Sequence, residues 1–169
     1  MRAKPMRVTR AMVAVAAVGV LVNTVAACSH QSEPLLTWDK MNLEYQASTT
    51  TFPFDLPAGV VFPQQVWKPD NANKQLYALG FGEMQAYFFA DCAYQRVAIA
   101  NQVSNPASSM AALDMSGKVH STPFFQAHVQ DGDIAWADVL NKARLGDFSV
   151  LVGFYTTGCT GDWMEGKTG

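Results

Sequence analysis

The feature that most constrains this chain is a helix-forming run from Glu83 to about Gln102, with no proline until Pro106. Met84, Phe88, Cys92 and Ile99 fall on one stripe at helical spacing, and Tyr87, Tyr94 and Ala98 widen it. A helix with so broad an apolar face needs neighbours on more than one side. The run therefore predicts the central helix of a mainly α, single-domain helical bundle. Gly80-Phe81-Gly82 precedes it, and Glu83 falls in the first turn, where the helix dipole favours an acid.

Further helices follow. Asn105 is the N-cap of a helix to Gly117, with Pro106 at its first position and Gly117 as its stop. A short helix begins at Thr122-Pro123 and carries Phe124, Phe125 and His128. Another runs from about Asp133 to Leu145, with Ile134, Ala137 and Leu140 on one face, an Asp138/Lys142 i,i+4 pair, and Gly146 ending it. Phe148–Tyr155 suits a helix capped by Asp147 or a strand. Helix is favoured because nothing else offers a strand partner.

Upstream, Pro53, Pro57, Pro63 and Pro69 forbid a long helix between Thr49 and Pro69. Phe52, Phe54, Val60, Val61, Phe62 and Trp67 are too apolar for a free linker. The stretch reads as an extended arm laid across the core, the alternative being an exposed aromatic-proline binding surface. Thr37–Tyr45 fits either a helix capped by Thr37 or part of that arm.

The first 27 residues have a different character. Residues 1–10 hold Arg2, Lys4, Arg7 and Arg10 and no acid, and Ala11–Val22 is an uncharged apolar run. That run is long enough for a signal peptide and short for a membrane span. It ends in Val25-Ala26-Ala27-Cys28. This end resembles the bacterial lipobox, an aliphatic and two small residues before a Cys, which implies cleavage before Cys28 and a lipid on its thiol; small residues let the chain enter a peptidase in extended form, and the thiol is the nucleophilic handle. An ordinary secretory signal cut after Val25-Ala26-Ala27, or an uncleaved anchor, is the alternative. The predicted organisation is a signal peptide at 1–27, lipidated Cys28 and a tether at 28–34, an arm at 35–69 and a helical domain at 70–169. The precursor's formal charge of −2 becomes −6 without the leader's four basic residues. An acidic body argues against nucleic acid as a partner and against electrostatic adhesion to anionic lipid, leaving the lipid anchor to hold it at a membrane.

With Cys28 lipidated, Cys92 and Cys159 remain as an even pair outside the cell, and a disulfide between them would staple the C-terminal segment to the central helix. Two unpaired buried thiols are the alternative. No Cys/His spacing supports a metal site.

In order along the chain, these motifs resemble a loose group of uncharacterised secreted lipoproteins of high-GC Gram-positive bacteria. The resemblance rests on the Val25-Ala26-Ala27-Cys28 lipobox, Leu56-Pro57-Ala58-Gly59-Val60-Val61-Phe62-Pro63, Cys92-Ala93-Tyr94, Gly146-Asp147 and Cys159, and covers about Phe52 to Trp163. It implies lipid attachment at Cys28 and a small helical domain with one disulfide. It implies no activity.

Catalytic motifs are missing. There is no Gly-x-Ser-x-Gly elbow, Ser-x-x-Lys, His-Glu-x-x-His or P-loop. Asp131-Gly132-Asp133 looks like a calcium loop, but the position requiring an acid is Lys142. Glu83 and Asp91 would lie about 12 Å apart along one helix, too far for a glycosidase pair, and Asp91 reads as a solvated surface residue. His30 falls in the tether. His120 reads as loop, and His128 as packed or half-exposed beside Phe124 and Phe125; with Asp131 or Asp133 they match no ligand pattern.

The expectation is a cell-envelope lipoprotein on the extracytoplasmic face of the membrane. Its domain is a non-catalytic binding or structural module, without cofactor or metal, with an envelope protein or glycan as the partner class. A small extracytoplasmic hydrolase or metal-dependent enzyme using Glu83, Asp91, His120, His128 or Asp131 is the alternative.

Overall fold

The computed structural model describes residues 34–129, 132–161 and 164, with the main chain alone for 132–134. The expectations for 1–27, Cys28, His30, Asp131 and Trp163 lie outside the described residues. Glu33–Gly169 forms a compact unit with its own apolar cores, the anatomy of a domain that can fold by itself.

The architecture is mainly helical. The described residues form six α-helices: α1 (Trp38–Thr51), α2 (Phe81–Asn101), α3 (Pro106–His120), α4 (Pro123–His128), α5 (Gly132–Arg144) and α6 (Ser149–Gly158). A 3₁₀ turn spans Ala72–Lys74, and one isolated antiparallel bridge joins Leu36 to Tyr77. No described helix is long and apolar enough to cross a membrane.

Of the two conformations open to Thr37–Tyr45, the chain takes the helix and continues it to Thr51. Trp38, Met41, Asn42 and Tyr45 recur at helical spacing and are buried, so packing decides what periodicity over nine residues could not. Thr37 stands at the cap position without a side-chain cap bond. Helix α1 packs on α2 at very close range. A Cβ built on Gly82 would lie 2.1 Å from the Met41 carbonyl oxygen and 2.7 Å from the Tyr45 nitrogen. Only glycine permits that approach. The Glu44 carboxylate of α1 accepts from Gly80 N at 3.2 Å and Gly82 N at 3.3 Å, covering amides at the start of α2.

The proline-rich stretch is an ordered arm, as expected. Phe52, Phe54, Leu56 and Phe62 pack against a core of Tyr87, Ala90, Tyr94, Val119 and Phe125. Phe52, half-buried, meets Tyr87 edge-on at 5.1 Å, a ring pair that contributes roughly 0.5 to 1.5 kcal/mol beyond the area it covers. The arm's backbone is tied down as well: Tyr45 Oη donates to Pro63 O at 3.0 Å, Val66 N donates to Asn42 Oδ1 at 2.9 Å, and Tyr94 Oη donates to Asp55 O.

Asn105 caps α3 as predicted, its side chain accepting from Ser108 N at 3.2 Å. Gly117 does not stop the helix, which runs on to His120. Its absent side chain serves the approach of α5 instead, since a Cβ there would lie 3.3 Å from Leu140 Cδ1. On α5 the buried face is Trp136, Val139, Leu140 and Ala143, and Ala137 is exposed. The predicted pair forms, with Lys142 Nζ 2.7 Å from Asp138 Oδ2. The last segment is helix α6, which ends beside the Cys92–Cys159 disulfide tying it to α2.

Candidate functional site

Where α2 and α3 cross, two polar pairs face each other. Asp91 and Gln95 are one turn apart on α2, and Ser116 and His120 one turn apart on α3. All four are buried, with relative exposures of 1%, 3%, 0% and 9% respectively. The Asp91 carboxylate is the hub. Oδ1 accepts from Ser116 Oγ at 2.5 Å, and Oδ2 accepts from Gln95 Nε2 at 2.7 Å. His120 Nε2 lies 2.9 Å from the same Oδ2. With both carboxylate oxygens serving as acceptors, the network assigns a proton to Nε2. Trp136 of α5 completes the chain, its Nε1 donating to Ser116 Oγ at 3.3 Å.

Aromatic rings fix the imidazole. Trp136 stacks on it with centroids 4.4 Å apart, and Phe125 of α4 lies 4.1 Å away. His120 Nδ1 is buried and has no hydrogen-bond partner.

The network floors a cavity of about 540 Å³ among α2, α4, α5 and α6. Its walls are largely apolar: Met84 and Phe88 from α2, Phe125 from α4, Trp136 from α5 and Phe154 from α6. Asp91, Gln95 and His120 supply polar groups, and Gln85 and Thr157 add to them. Size and lining suit a small organic ligand. Two further clefts border the same elements. One of about 640 Å³ lies between the arm and α3, beside Phe54, Pro57, Tyr94 and Met115. One of about 470 Å³ has Asp114, Lys118 and Arg144 along it, and His120 and Trp136 separate it from the first cavity.

Two readings of the sequence are corrected here. Asp91 is not solvated on a helix surface, because α2 is covered around most of its circumference and Asp91 points at α3. His120 is not in a loop; it is the last residue of α3, buried against Asp91. Glu83 and Asp91 are not brought together. Burial pushes the Glu83 carboxyl up, nearby His128 opposes that shift, and Glu44 adds to it. His128 is exposed, stacked on Phe124 at 4.3 Å, with Nδ1 2.8 Å from Phe124 O. It has no part in the His120 network. The Asp131-Gly132-Asp133 turn falls largely outside the described residues. Among those described, no three His, Cys, Asp or Glu side chains are grouped to hold a metal ion.

Gln95, Ser116 and Trp136 were not singled out in the sequence. A signal was present: two polar i,i+4 pairs, Asp91/Gln95 and Ser116/His120, each set among apolar neighbours on a helix.

Compared with family models, curated proteins and solved structures, the chain matches none of them.

Proposed function

We propose that this chain is an envelope lipoprotein, anchored through Cys28 on the extracytoplasmic face of the membrane, whose helical domain is a non-catalytic binding module for a small apolar ligand. The observation that carries the binding half is the apolar cavity of about 540 Å³ with its polar floor. The Cys92–Cys159 disulfide supports the extracytoplasmic half, since such bonds persist in oxidising compartments.

A hydrolase reading has one observation in its favour: Asp91 orients His120 as a carboxylate orients a general base. The network's own hydroxyl argues the other way. Ser116 donates to Asp91 rather than to the imidazole, so it is not activated as a nucleophile. Binding is the better account.

The two halves are tested separately. Cells fed an alkyne fatty acid should label the wild type, and Cys28→Ala should lose the label; equal labelling would refute the anchor. The Glu33–Gly169 unit should enhance the emission of a naphthylamine dye in a saturable way. Ala135→Phe, which adds bulk to the cavity lining, should abolish that enhancement. A fully folded Ala135→Phe variant that binds dye as well as wild type would refute the site.

A further inference from the structure

One acceptor of a buried residue lining this cavity, Gln95 Oε1, lacks a donor. Gln95 Oε1 has Cys159 Sγ at 3.8 Å, but that sulfur is half of a disulfide and has no hydrogen to give. The amide cannot be turned over to escape this, because Nε2 must face Asp91 Oδ2 to donate at 2.7 Å. His120 Nδ1 is also without a partner, but it is fully buried, with Trp136 and Phe125 packed against the ring, and offers a ligand no surface to touch. Gln95 borders the cavity and does not border the Asp114 cleft. Buried polar groups in folded proteins are nearly always paired, so an orphaned acceptor on an apolar cavity defines what is missing.

We infer that the ligand is an uncharged amphiphile: an apolar chain or ring system ending in a hydroxyl or amide that donates a hydrogen bond to Gln95 Oε1. This rests on the cavity being the binding site. A carboxylate head does not fit. It brings acceptors to an acceptor, and its charge would be buried beside the Asp91 carboxylate, where unpaired like charges are costly. A hydrocarbon without a head fills the walls and leaves Gln95 Oε1 unpaired.

The test is a titration of the Glu33–Gly169 unit, in alkaline buffer, with decanol, decyl methyl ether and decanoate. The three share a chain and differ in the head: donor, acceptor only, and anion. Decanol should bind about tenfold or more tightly than the ether, the usual penalty for leaving a buried acceptor unpaired, and decanoate should be weaker still. In Gln95→Met the preference for decanol over the ether should shrink. Equal binding of decanol and ether, or tighter binding of decanoate, would overturn the head-group assignment while leaving the cavity as a site. Binding of none of the three would overturn both. Because the ligand series uses unmodified protein, the result stands even if Gln95→Met fails to fold.

Discussion

The indole of Trp136 lies flat against the imidazole of His120, their centroids 4.4 Å apart and their planes 13° from parallel. The same indole donates through Nε1 to Ser116 Oγ, so one side chain of α5 holds both members of the polar pair on α3. The floor of the cavity is thereby locked in place from α5, and α2 supplies the charge it is built around.

Asp91 is the side chain on which that floor depends. Removing it strands Ser116, Gln95 and His120 together, and leaving several buried donors unpaired costs more than the bonds themselves contribute. Asp91→Ala should lower unfolding free energy by about 3 kcal/mol. Urea denaturation measures it, and a loss within about 0.5 kcal/mol, the range of ordinary surface substitutions, would show that the network is energetically idle.

The glycines at the two helix contacts should behave differently. At Gly82 a methyl group meets the backbone of α1, which cannot step aside. At Gly117 it meets Leu140 Cδ1, the end of a side chain that can rotate. Gly82→Ala should therefore be destabilised by about 3 kcal/mol or more, while Gly117→Ala should change stability by no more than about 1 kcal/mol. Thermal unfolding of the two variants side by side checks the order.

The disulfide closes a 67-residue separation, and the chain-entropy account gives it up to about 4 kcal/mol. Reducing it, or replacing Cys159 with Ser, should lower the melting temperature and expose α6 to protease before the rest of the domain. Cleavage beginning instead in the arm would place the weak point elsewhere.

Tyr94 gives the fold a pH dependence at the alkaline end. Burial, with the Asp55 charge adding to it, pushes its phenol up from 10.0 to about 12. Folding therefore favours the protonated form. That contribution is fully present below about pH 10, where the unfolded chain also keeps the proton, and is lost as pH rises through about 12. Melting temperature should fall between those values, and Tyr94→Phe should flatten the decline. Parallel curves for the two proteins would assign the loss to other groups.

Much of this fold is legible in the sequence. Pro106 behind Asn105, Thr122-Pro123, and Gly146 after a basic turn each mark a helix end by local chemistry. The paired cysteines anticipate the staple, and the arm's phenylalanines their burial. The polar floor is another matter. Asp91 on a helix reads as solvated unless one knows that α3 and α5 close over it, and that depends on contacts 25 and more residues away. Gly117 misled for the same reason. The residue suits both a helix stop and a close helix contact, and tertiary packing chose between them.

The most direct test of the central claim is where an amphiphile binds. Decanol should be titrated into the isotopically labelled Glu33–Gly169 unit while its N–H resonances are followed. The account predicts saturable shifts of the Trp136 indole N–H and of amides around Phe125, Phe154 and Gly158, the lining of the cavity of about 540 Å³. Shifts confined to Ser108, Ala111 and Met115, beside the cleft under the arm, or no saturable shifts at all, would contradict it.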